Sequence, residues 1–311
     1  MLFSFVCTKL FIRNYEIHGL FGAPRLIGPP IRGRMKRLAI LCSLFPAIAA
    51  SAQEPGTTKG PKPIQDNSFL IEEAYNQEAG VVQHISAFAR MLGSTGWNYT
   101  FTQEWPVGGA RHQLSFTLPI ARVDETPRGR GGLGDVGLNY RYQLLGSGED
   151  VVALAPRITI LAPTGSSRRG LGAGGTGLQL NLPLSIVLHR ALVVHSNAGA
   201  TYTRRAHDPL GNESAATAYN LGQSVIWLAH PKFNVMLEGA WTQTDAVVGP
   251  GQAEQNTALL LAPGIRGAID FPSGLQVVPG VAFPIGLGTS RGERNLFVYL
   301  SFEHAFTSTT P

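Results

Sequence analysis

From Val81 to Phe306 apolar and polar residues alternate with a period of two. Leu178, Leu180, Leu182, Leu184, Ile186 and Leu188 share one face of an extended chain, with Gln179, Asn181, Ser185 and His189 on the other. A helix would scatter these leucines around its circumference. The alternation recurs as Trp97, Tyr99, Phe101 and Trp105 against Asn98, Thr100, Thr102 and Glu104, and as Val136, Leu138, Tyr140 and Tyr142 against Asp135, Asn139 and Arg141. It returns in the last segment, with Leu296, Val298, Leu300, Phe302 and Phe306 opposite Tyr299, Ser301 and Glu303.

The pattern predicts about twelve strands, near 81–92, 96–105, 113–122, 134–145, 151–162, 176–189, 191–203, 216–228, 233–244, 257–269, 275–285 and 294–306. Most exceed the five or six residues usual in soluble sheets and reach the 9 to 11 that a tilted strand needs to cross a bilayer. Longer connections at 124–132, 164–175, 204–215, 246–256 and 286–293 alternate with short ones at 146–150, 190, 229–232 and 270–274. Such alternation marks a single-chain outer-membrane barrel, with long loops outside and short turns in the periplasm. The hairpin through Gly93 to Thr95 departs from it, being short on the outer side. The expected fold is all-β: a transmembrane antiparallel up-and-down barrel of about twelve strands over 81–306, after a short N-terminal periplasmic extension.

Aromatic spacing agrees with this reading. Trp97 and Trp105 stand eight residues apart on one face, roughly 26 Å along a strand. A tilt of about 40° brings this to roughly 20 Å, near the height of an apolar band bounded by two aromatic girdles. Trp227 and Trp241, flanking the turn at 229–232, are the other candidate interfacial aromatics.

Composition narrows the class. Only 14% of residues are charged while 44% are hydrophobic, and mean hydropathy is +0.06. Soluble domains carry roughly 25% charged residues, and a bundle of membrane helices would be far more apolar. Alternation that cancels in the average explains both values.

The net charge of +5 comes from the first 52 residues, which hold seven Lys or Arg and one acid. The remainder has 18 basic and 19 acidic residues, so the sequence gives no reason to expect a nucleic-acid partner. Cys7 and Cys42 both fall in this leader, leaving the later chain without thiols. Met35-Lys36-Arg37, the apolar run Leu38 to Ala49 and the small residues Ala50-Ser51-Ala52 form a bacterial signal peptide over 35–52, with cleavage expected after Ala52. Residues 1–34 are then superfluous, and Met35 is the expected initiator.

Residues 53–80 form a tether or plug on the periplasmic side. Glu54 to Pro63 is rich in Pro, Gly, Thr and Lys, and Asp66 or Ser68 is placed to cap one short helix. Residues 307–311 form a tail.

Catalytic and cofactor motifs are weak. Two G-x-G-x-x-G strings, 129–134 and 172–177, precede strands rather than helices and read as mobile loops. Their neighbours Arg128, Arg130, Arg168 and Arg169 are candidate contacts for lipopolysaccharide or an anionic cargo. His195-Ser196-Asn197 contains the residue types of a membrane lipase, but adjacent strand residues point to opposite faces. His84, His112, His207, His230 and His304 show no metal spacing, and no cofactor is called for. The stronger candidates are charged residues on the polar faces: Glu104, Arg141, Arg157, Glu238, Arg266 and Glu303 would line a lumen or pair across it.

The run Gly132-Leu133-Gly134-Asp135-Val136-Gly137-Leu138-Asn139-Tyr140-Arg141-Tyr142-Gln143-Leu144, followed by Pro156 to Gly165, resembles the outer-membrane proteins named for the phenol meta-degradation pathway. More distantly it is similar to FadL-like transporters of hydrophobic compounds. The terminal strand ending at Phe306 also looks like the recognition signal read by barrel-assembly machinery, although five residues follow it. The resemblance, spread over 66–306, implies passage of hydrophobic or aromatic compounds. The expected function is therefore passive transport of small molecules through the outer membrane, in contact with its lipids and lipopolysaccharide. A structural or adhesive barrel without an open pore is the alternative, and an outer-membrane lipase a more remote one.

Overall fold

The computed structural model describes residues 64, 67–123 and 130–306. The signal peptide, Met35, residues 53–63, Asp66, Arg128 and the tail after Phe306 lie outside the described residues. Sixteen strand segments follow in order: β1 (Val81–Met91), β2 (Trp97–Pro106), β3 (His112–Val123), β4 (Arg130–Leu133), β5 (Val136–Tyr142), β6 (Val152–Leu154), β7 (Arg157–Ala162), β8 (Gly177–His189), β9 (Leu192–His207), β10 (Glu213–His230), β11 (Phe233–Gly249), β12 (Gln252–Gly267), β13 (Ile269–Asp270), β14 (Gln276–Ala282), β15 (Ile285–Leu287) and β16 (Asn295–Ala305).

These segments make twelve staves. β4 and β5 form one, both pairing with β3, and β6 and β7 another, both pairing with β8. β14 and β15 form a third, both pairing with β12, and β13 extends β12. Every pairing is antiparallel between neighbours in sequence, and β1 meets β16 in unbroken register from Val81↔Ala305 to Met91↔Asn295. That seam closes the barrel, so neither end of the sheet is left as a free edge.

The outside is apolar and the inside polar, the inverse of a soluble domain. Leu180 and Leu182 are 53% and 52% exposed, while Gln179 and Asn181 between and beside them are 6% and 5% exposed. Leu138, Tyr202, Tyr219, Leu221, Leu237, Ile265 and Val298 continue the exposed belt around the barrel. A contiguous apolar surface of this extent is not tolerated in water. Facing lipid, it needs no cover.

Two expected loops are largely strand. β9 runs on to His207 and β10 begins at Glu213, so only 208–212 remain of the connection expected at 204–215. The expected loop at 246–256 shrinks to Pro250-Gly251, with Gly251 at φ +65 closing the turn. The physical reason is visible in Gln252 to Gln255, exposed at every position though paired with β11. Where both faces of a strand meet water, pairing continues but the alternation that reports it disappears. His189 also departs from its expected face, because a register shift after Val187 turns it out at the β8–β9 turn.

Candidate functional site

The segment before β1 lies inside the barrel. Phe69, Leu70, Ile71, Ala74 and Tyr75 are buried, and the backbone is held by side chains from one strand after another. Arg266 on β12 donates to the carbonyls of Ile64 and Asn67. Phe69 packs against Phe297 and Tyr299 of β16 at ring distances of 5.7 and 5.8 Å. The Leu70 N–H donates to Glu238 on β11, that of Glu72 to Asn197 on β9, and that of Ala74 to Ser185 on β8. Arg141 on β5 then donates to the carbonyls of Glu73 and Tyr75 and to Asn76 Oδ1, and Gln113 on β3 accepts from Gln77 N–H at 2.7 Å. Finally Gln77 Nε2 reaches Gln83 on β1.

From Leu70 to Gln77 the partners thus follow the order of strands around the barrel, through β11, β9, β8, β5, β3 and β1, and the described residues of 64–77 form a collar wound along the inner wall. The short helix expected here is not formed: 67–80 has no helical turn, and the Ser68 hydroxyl donates to Ser224 on β10 instead. Rows of lumenal side chains satisfy the extended backbone, so helix formation offers it no further gain.

Two cavities flank the collar. The larger, a vestibule of about 1220 Å³ that includes space open to solvent, lies toward the end bearing the loop 163–176. Its walls are mainly apolar, with Pro119, Ala121, Leu161, Leu171, Ala216 and Val247, over polar groups from Asn98, Asn139, Arg157, Thr159, Gln179 and Thr201. The smaller, about 420 Å³, lies between the collar residues Asn67, Ser68, Ile71 and Glu72 and the wall formed by Ile85, Thr102, Glu104 and Ser115. Thr117, Asn139 and Arg157 line both.

Arg157 is the centre of this boundary. Its Nε and Nη2 donate to the two carboxylate oxygens of Glu72 at 3.0 and 2.6 Å. Nη1 donates to Asn139 at 2.9 Å and to Thr159, and Nη2 also donates to Gln179 at 3.0 Å. Asn181 gives Glu72 a further bond. Toward the solvent, the loop 163–176 folds over the vestibule: Asp135 accepts from the N–H groups of Gly165 and Ala173, and Leu171 packs on Ala121 and Val123.

No protein-family model and no curated protein matches the chain. Among solved structures, an outer membrane channel from Pseudomonas putida F1 is 14% identical, with a TM-score of 0.56 over 78% of this chain and 100% of that one. The fold is that of an outer-membrane β-barrel. NanC porin (11% identity, TM-score 0.48) and KdgM porin (8%, 0.44) each cover 71% of this barrel chain and 98% of their own.

Within this outer-membrane barrel the six charged residues expected on the polar face occupy different settings. Glu104 accepts from Gln113 at 2.7 Å and stands 3.6 Å from Arg141. Arg141, Arg157, Glu238 and Arg266 all bond the collar. Glu303 is half-buried beside Gln83 and Gln276 near the end of β16. Trp97, Trp105, Trp227 and Trp241 all face outward, Trp227 being 57% exposed. Trp241 stands eight residues from Phe233, the spacing of Trp97 and Trp105. Arg168 and Arg169 are exposed on a single 3₁₀ turn, and Arg169 donates to the Gly131 carbonyl.

His195 and Asn197 point inward while Ser196 points outward. The lumen does bring His195 to a serine, but it is Ser185 on β8, 2.7 Å from Nδ1. That hydroxyl also accepts the Ala74 N–H, and Tyr75 packs edge-on against the imidazole at 5.8 Å. The pair anchors the collar. Glu72, Asn181, Ser185 and Gln113 are the site residues that sequence reasoning passed over, because a polar residue on an inward face gives no hint of its partner on a segment far away in sequence.

Proposed function

We propose that this protein is a passive channel of the bacterial outer membrane for small molecules with a hydrophobic or aromatic body. The observation that carries the reading is the apolar-walled vestibule, which shares Thr117, Asn139 and Arg157 with a second cavity along the collar. Apolar walls with a few placed polar groups suit solutes of that kind. The likeness of Gly132 to Leu144 to the phenol meta-pathway proteins supports the same cargo class. In this reading a signal peptide cut after Ala52 exports a chain begun at Met35, barrel-assembly machinery inserts it, and the loop end faces lipopolysaccharide.

The test is reconstitution of the full mature chain in planar bilayers and liposomes. Single-channel current, or swelling with small aromatic solutes, is expected. A second reading, a structural barrel with a filled interior, is favoured by the collar itself. It predicts no current from the intact chain and current only after deletion of 64–77.

A further inference from the structure

We infer that the vestibule is a binding site for small carboxylates with an apolar body, and that such a ligand docks on Arg157 in competition with Glu72. The inference deepens the channel reading by naming its substrate class. Arg157 is the one arginine or lysine among the described residues lining the vestibule, and it lies below walls of Pro119, Leu161, Leu171 and Val247. Its Nε–Nη2 edge already carries a planar carboxylate in two-point contact, the geometry that a guanidinium offers to any carboxylate. Asn139 holds the guanidinium through Nη1, and Gln179 through a second N–H of Nη2, so it stays in place when Glu72 leaves.

The displaced Glu72 has somewhere to go. It lines the smaller cavity, and its backbone remains fixed to Asn197 through both its N–H and its carbonyl. Its carboxylate can therefore turn into that cavity without the collar unwinding. The two acids of the vestibule, Asp135 and Asp245, are engaged elsewhere, Asp135 by Gly165 and Ala173 and Asp245 by the N–H and hydroxyl of Thr217. Exchange of one carboxylate for another breaks the contact between collar and wall at the boundary that both cavities share. Ligand binding and opening of the path are then one event.

The experiment uses the detergent-solubilised full mature chain, with 4-phenylbutyrate and its uncharged amide as probes, read by calorimetry. Wild type is expected to bind the acid in preference to the amide. E72Q removes the competitor and is expected to tighten the acid about tenfold while leaving the amide unchanged; a gain of binding cannot arise from misfolding. R157K keeps the charge but loses the two-point edge, and is expected to weaken the acid about tenfold. Equal binding of acid and amide, or no gain in E72Q, would overturn the inference. A chain that binds in the expected pattern yet carries no current would sink the channel reading alone, and a conducting chain indifferent to E72Q would sink only the binding site.

Discussion

The ring of Phe69 lies against the bare backbone of Gly280: a Cβ added there would stand 2.5 Å from its Cε1 atom. Gly264 on the neighbouring stave meets the other side of the ring at the same distance, and Gly222 leaves room for Ile71 in the same way. Inward-facing glycines thus form the seat in which the collar begins. Valine at position 280 puts side-chain carbon where the ring is, and something must shift. F69A empties the seat from the other side, with a loss of about 3–5 kcal/mol when a buried phenylalanine is truncated. That loss falls on collar docking, because the strand pairing of the barrel does not pass through Phe69. Both variants are expected to keep the heat-dependent gel shift of a folded barrel while residues 64–80 become cleavable by protease. Protection equal to wild type would contradict the arrangement.

Arg141 is the second anchor, and it is tied to an internal acid. It donates to two collar carbonyls and to Asn76, and stands 3.6 Å from Glu104. Replacing it with methionine strands a buried carboxylate, a loss of about 3–5 kcal/mol for a broken buried pair. E104Q removes that charge and keeps an acceptor for Gln113. The double variant R141M/E104Q is therefore expected to recover part of the lost stability. A thermal-unfolding cycle in detergent checks this, and strictly additive losses would show that the two groups do not interact.

Much of this architecture is legible in the chain itself, for a reason visible in Leu178 to Ser185. Lipid on one side and a polar lumen on the other impose opposite demands on successive residues, so the alternation reports both the strand and its faces. The collar follows a different logic. Phe69, Leu70, Ile71 and Tyr75 have no period, and the collar's polar partners are side chains scattered over nine strands, brought together by barrel closure. Strand-interior glycines at 222, 264 and 280 were the available signal, since such positions mark close approach by another part of the chain. They do not say by which part. The extended β11–β12 hairpin was hidden for the opposite reason: Ala253 to Gln255 are all exposed, and uniform surroundings leave no pattern.

That same hairpin locates the edge of the membrane. Leu180 is outward-facing on β8, flanked along that face by Leu178 and Leu182, all three about half exposed and within the apolar belt. Gln255 is also exposed but belongs to the stretch of β12 where residues of both faces are exposed and no large apolar side chain occurs. An arginine at a lipid-facing position near the bilayer midplane costs about 2–4 kcal/mol, and close to nothing beyond the interface. L180R is therefore expected to reduce the folded, heat-modifiable barrel recovered from outer-membrane fractions several-fold, whereas Q255R leaves it unchanged. If instead the barrel stood in water, Leu180 would be an ordinary exposed surface residue, and L180R would be as harmless as Q255R. Equal yields from the two variants would remove the lipid from this account, and with it the physical reason for the exposed apolar belt.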